Sequence, residues 1–125
     1  MAEGIRQAAE SVRRDEGYVA ETGEGVVGFL TLHGPHPGAA EIAWMAVHRD
    51  HRTQGLGSEL LERAEQDLRR RDVRLLVVKT LSDRDEPGPA YAETRAFYLA
   101  RGFIPILELD IWGTENPCQV LAMPL

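Results

Sequence analysis

With Cys118 as its single cysteine, the chain has no partner for an internal disulfide and no multi-cysteine metal site, as expected in a reducing compartment. No apolar run approaches the roughly 20 residues that span a bilayer. The opening MAEGIRQAAE also lacks the apolar centre of a secretory signal, so the expected location is the cytoplasm, with no membrane partner. Basic residues are outnumbered: 14 Lys and Arg against 20 Asp and Glu leave a net charge of −6. Non-specific nucleic-acid binding releases counterions from a basic face, so nucleic acid is not an expected partner and cationic partners are favoured. The histidines His33, His36, His48 and His51 are scattered without zinc spacing, and no metal is expected. Internal repeats and low-complexity tracts are missing as well. What remains is ordinary for a globular chain: 43% apolar and 27% charged over 125 residues, enough for one domain spanning residues 1–125.

The rest of the chain is organised around Glu41 to Arg71. A strand, EIAWMAV, runs into a basic turn, HRDHRTQGLG, and then a helix from about Leu56 to Arg71. Gly55 and Gly57 sit where a strand must bend into a helix, and without a Cβ they let backbone N–H groups approach a ligand closely. Arg52, three residues before Gly55, adds a fixed positive charge beside the open helix N-terminus. Together they make a cradle for a phosphate.

The remaining elements follow from periodicity and breakers. Ile5, Ala8, Ala9 and Val12 are at helical spacing, predicting an amphipathic helix over Ile5 to Arg14 that Gly17 ends. Tyr18–Glu21 and Val26–Leu32 read as strands joined by a hairpin at Thr22 to Gly25. Pro35 and Pro37 make His33 to Gly38 a loop. Strict alternation in Ala40–Val47 places Glu41, Ala43, Met45 and Val47 on one face and Ile42, Trp44 and Ala46 on the other. The following helix buries Leu56, Leu60, Leu61, Ala64 and Leu68, with Glu59/Arg63, Glu65/Arg69 and Asp67/Arg71 as wet-side pairs. Leu75–Thr80 is an apolar run of central-strand type, and strand, helix, strand implies a right-handed crossover to a parallel neighbour. After a polar loop, a helix from Ala90 to Arg101 stops at Gly102. Phe103–Asp110 is a strand with Pro105 at an edge or bulge, followed by an antiparallel strand over Gln119–Met123. Cys118 reads as a small buried residue.

Two pieces in this order carry a resemblance: AVHRDHRTQGLGSELL, Ala46 to Leu61, and RAFYLARGF, Arg95 to Phe103. The chain from about Tyr18 to Leu125 resembles the GCN5-related N-acetyltransferase (GNAT) superfamily, with the first piece similar to its acetyl-coenzyme A signature and the second to its second signature. The resemblance implies an α/β fold, a mixed, splayed central sheet flanked by helices (the acyl-CoA N-acyltransferase fold), here lacking the first strand and helix. It implies acetyl-CoA as co-substrate and direct transfer to an amine, through a ternary complex. The acceptor is a small molecule or a peptide amine; the alternative is a non-catalytic acyl-CoA-binding sensor or regulatory module. By the same resemblance the turn Arg52, Thr53, Gln54, Gly55, Leu56, Gly57 and Ser58 holds the pyrophosphate, while the backbone of Met45, Ala46 and Val47 pairs with the pantetheine. The N–H near Ala46 is then available to the thioester oxygen. Glu41 matches the general base of some members, acting through a water and tuned by its apolar strand. Tyr98 matches the tyrosine beside the departing sulfur. The resemblance also implies a homodimer. Many members carry an asparagine seven residues before that tyrosine, where this chain has Tyr91.

Overall fold

A computed structural model of the chain describes residues 2–8, 16–82, 89–113 and 116–125. They form two compact units, Met1–Leu76 with Leu125, and Val77–Pro124. The first is an antiparallel meander of β1 (Ala2–Ala8), β2 (Glu16–Thr22), β3 (Gly25–His36) and β4 (Ala39–Val47), paired in that order. A 3-10 segment, Arg49–Gln54, and helix α1, Leu56–Arg70, follow.

The N-terminus overturns the helical reading over Ile5 to Ala8. Ala2–Ala8 is a strand, with Ile5 opposite Ala20 and Ala8 opposite Gly17, and residues 9–15 lie outside the described residues. Helical spacing over so short a stretch is weak against a sheet edge whose backbone groups need partners. Gly17 is accordingly part of β2 instead of a helix stop. The first strand expected to be missing is therefore present, although among the described residues no helix precedes Arg49.

The β2–β3 and β3–β4 hairpins are tight. Thr22 faces Gly25 across Gly23-Glu24, whose Glu24 N–H donates to Thr22 Oγ1 at 3.0 Å. The loop expected over His33 to Gly38 is mostly strand: β3 continues to His36, which pairs with Ala39 around Pro37-Gly38. Pro35 is tolerated because the register slips between His33 and His36, where the ladder is already broken.

A second slip reassigns the faces of β4. Leu32 pairs with Ile42 but Thr31 pairs with Trp44, so Ala43 is an inserted residue. Opposed residues share a face, and the bulge puts Ile42, Met45 and Val47 on the side of Leu30 and Leu32. Glu41, Trp44 and Ala46 lie together on the other side with Phe29 and Thr31. Strict alternation had paired Glu41 with Met45 and Val47; the extra residue reverses that.

Helix α1 covers the first side. Its buried Leu56, Leu60, Leu61, Ala64 and Leu68 meet buried Tyr18, Ala20, Leu30, Leu32 and Ile42, and each large apolar side chain so covered contributes about 1.5–3 kcal/mol. Close approach needs Gly28, where a Cβ would stand 3.2 Å from the Ala46 carbonyl oxygen and 3.5 Å from Leu60 Cδ1. The charged pairs differ from the helical-spacing expectation. Glu65–Arg69 forms at 3.3 Å, but Glu65 is only 7% exposed. Arg63 and Arg70 both pair with Asp67, which also accepts from the Tyr18 hydroxyl at 2.8 Å. Arg71 reaches Glu16 on β2 at 2.6 Å, and this hydrogen bond raises its pKa. Burial, with Asp67 alongside, pushes the Tyr18 phenol above its ordinary range.

The second unit contains most of β5 (Leu75–Leu81), α2 (Pro89–Ala100), β6 (Ile104–Leu109) and β7 (Cys118–Pro124), with sheet order β5-β7-β6 and β6 antiparallel to β7. Gly102, at φ 103°, ends α2 as expected, and the Phe103 N–H closes on the Tyr98 carbonyl at 3.0 Å. Pro105 sits on an edge strand beside a bulge at Ile106. Ser82 Oγ donates to Glu108 Oε2 at 2.6 Å, Arg95 Nη1 donates to the Leu81 carbonyl at 2.9 Å, and Cys118 is buried.

Candidate functional site

The end of β4 is held by the His48 N–H donating to the Val27 carbonyl at 2.7 Å. His48 Nδ1 then accepts from the Asp50 N–H at 3.2 Å and starts the 3-10 segment. That segment brings the chain to Gly55 at φ 78°, ψ 11°, a left-handed conformation that a Cβ would strain. From there α1 begins at once: the Glu59 N–H donates to the Gly55 carbonyl at 3.0 Å, and Gly55 supplies no side-chain cap. The amides of Leu56, Gly57 and Ser58 are thus the donors that a helix leaves outside its own ladder, at its positive end. Open space surrounds Gly55, with nothing within 4 Å of an added Cβ. An anion could reach these amides.

Arg52 is exposed beside this turn, and its Nε donates to the Val47 carbonyl oxygen at 3.0 Å. One of the five guanidinium donors is thereby used to fix the group, and the others keep their capacity for an anion. Gln54 closes the 3-10 segment and stands 3.1 Å from His51 Nδ1. Thr53 belongs to the same segment, with its side chain outside the described residues. Neither the 3-10 segment nor the Arg52 tether was read from the sequence; the Asp50 that faces its first turn was the available signal.

Hydrogen bonding sorts the three β4 residues predicted to face the pantetheine. Bonds in an antiparallel ladder alternate, and with His48 bonded to Val27, the next bonded pair is Ala46 with Phe29. The Ala46 amide therefore points to β3. Those of Met45 and Val47 point to the other edge of β4, where the Val47 carbonyl meets Arg52. The Ala46 amide is thus taken up by the β3–β4 ladder.

On the face away from α1, Glu41 is half-buried opposite His33, Trp44 is 71% exposed and Phe29 is 39% exposed. Toward the turn this face opens into a groove of about 440 Å³, with Phe29, Ala46, Arg49 and Arg52 among its lining. In the second unit, Tyr98 lies on α2 and is 5% exposed, with its ring edge-on to Phe97 (5.3 Å, 70°) and Phe103 (5.2 Å, 69°). Burial pushes its phenol up to about 12. The group is a firm O–H at neutral pH: full proton transfer to a thiolate of ordinary pKa would be uphill by about 5 kcal/mol, whereas donating a hydrogen bond is not. Tyr91 is in the first turn of α2, with its side chain outside the described residues.

Residues 13–105 match the acetyltransferase (GNAT) domain family. No curated protein matches the chain. Among solved structures, a GNAT family acetyltransferase from Elizabethkingia anophelis with acetyl-CoA bound is similar at 16% identity and a TM-score of 0.77, over 98% of this chain and 99% of that one. The IAA acetyltransferase from Bacillus cereus is similar at 24% identity and 0.76, over 91% of this chain and 80% of the other. The ribosomal-protein-S18-alanine N-acetyltransferase from Escherichia coli is similar at 21% identity and 0.73, over 91% and 71%. These similarities show a shared fold, the mixed sheet flanked by helices.

Proposed function

Because this chain belongs to the acetyltransferase (GNAT) family, we propose that it transfers acetyl from acetyl-CoA directly to an amine in a ternary complex. The observation that carries this reading is the uncapped N-terminus of α1, entered through left-handed Gly55 and flanked by Arg52. Its three amides and guanidinium suit a diphosphate, the part of acetyl-CoA with most charge to satisfy. Acetyl-CoA supplies an acyl carbon activated as a thioester.

The chain's own groups do the rest. The backbone of Met45, Ala46 and Val47 runs alongside the pantetheine, and an N–H near Ala46 steadies the thioester oxygen as charge grows on it. Glu41 accepts, through a water, the proton that the ammonium loses. That loss costs an amine of pKa about 10.4 roughly 4 to 5 kcal/mol at pH 7. As the new C–N bond forms and the C–S bond breaks, the attacking nitrogen releases its second proton to solvent, Tyr98 donates a hydrogen bond to the departing thiolate, and solvent supplies the proton that yields free coenzyme A.

In this reading residues 1–125 make up a single N-acetyltransferase domain that works in the cytoplasm. A homodimer is supported by edge strand β6, whose Ile104, Ile106 and Leu107 are exposed; sedimentation at increasing concentration checks it. Calorimetric titration with acetyl-CoA followed by thiol release over a panel of amines tests the function. Binding with amine-dependent release is expected. Binding without release from any amine would make the chain an acyl-CoA-binding module instead.

A further inference from the structure

We propose that the acceptor is an amine carrying an aromatic or bulky apolar group, held on the sheet face opposite α1 with its apolar body on Trp44 and Phe29 and its ammonium toward Glu41. This deepens the acetyltransferase reading and rests on it. The bulge at Ala43 is the decisive feature, since it brings Glu41 and Trp44 onto one face. Trp44 stands opposite Thr31, and Phe29 is two residues along β3 on the same face, a diagonal that aromatic side chains span. Ala46, opposite Phe29, keeps the surface low between the rings. An indole left 71% exposed on a sheet gains nothing for the fold there, because sheet aromatics stabilise by being covered.

Charge orients the occupant. Arg49, which is not among the groups assigned to the coenzyme, lines the groove at the turn end of this face, and Glu41 lies at the far end of β4. An ammonium is repelled from the first and attracted to the second. The apolar strip between them suits a hydrocarbon or aromatic ring. A polyamine or aminoglycoside would have to lay additional charges over Trp44 and Phe29, where the described residues of β2, β3 and β4 offer no carboxylate; the other acid that shares this face, Glu21, lies beside exposed Val26.

The chain has two tryptophans, Trp44 and Trp112, so Trp112→Phe makes Trp44 the only indole reporter. Titrating that variant with 2-phenylethylamine, n-hexylamine, ethylamine and spermidine should change Trp44 emission saturably for the first two, at concentrations at least tenfold below those needed for the others. With acetyl-CoA, Trp44→Ala should raise KM for 2-phenylethylamine at least fivefold with little change in kcat or in acetyl-CoA binding, and Trp44→Phe should recover most of it. Equal response to all four amines, preference for spermidine, or an unchanged KM in Trp44→Ala would overturn the acceptor class and leave the transferase reading standing. Selective emission changes without thiol release from any amine would overturn catalysis and support the face as an amine site.

Discussion

Arg52 donates its Nε–H to the carbonyl oxygen of Val47, five residues back, at 3.0 Å. The tether fastens a cation to the last residue of β4 and next to the uncapped amides of α1, so one side chain joins the strand edge to the helix terminus. Arg52→Ala should weaken acetyl-CoA binding about 10- to 100-fold by calorimetry, the range for a charged hydrogen bond of about 1.5–3 kcal/mol. Arg52→Lys keeps the charge but cannot hold the tether and donate in a plane together, and should recover only part.

Gly55 has φ 78° with open space around it. Gly55→Ala should therefore cost about 1–2 kcal/mol through backbone strain alone, lowering Tm by several degrees. Gly55→Asn, which tolerates this conformation better, should lose less. Equal losses in thermal unfolding would show that the turn relaxes out of the left-handed region.

Glu41→Gln and Tyr98→Phe should each reduce turnover at least tenfold while calorimetric acetyl-CoA affinity stays within about twofold, as expected of groups that act on protons in the transition state. Unchanged turnover in either variant removes that residue from the reaction.

Tyr98 has its phenol raised by burial to about 12, and that of Tyr18 is raised by burial and Asp67. A raised pKa means that the folded state keeps a proton the unfolded state has released. The associated stability is complete below about pH 10 and is lost as pH climbs toward 12, amounting for Tyr98 to roughly 3 kcal/mol. Urea unfolding between pH 9 and 12 should show this decline, with a smaller slope in Tyr98→Phe. Tyr18→Phe should lower stability already at pH 7, because it also removes the 2.8 Å bond to Asp67.

Helix α1, the stop at Gly102 and the glycine turn were legible in the chain itself, because a 3.6-residue apolar period and a missing Cβ act within a few residues of where they are written. The strand at Ala2–Ala8 was not, since its stability comes from pairing with β2, and neither was the pairing of Arg71 with Glu16, 55 residues away. Nor could Glu65 be known to be buried, or Glu41 to share a face with Trp44. A bulge exists only between two strands, and which of β3 and β4 carries the extra residue is settled by how Leu30 and Leu32 meet Met45 and Ile42 beneath α1. Local chemistry thus determined the left-handed glycine turn and the uncapped helix start that follows it. Only the packed sheet decided which side chains share the face proposed for an acceptor, because a one-residue insertion turns every later side chain of a strand to the opposite face.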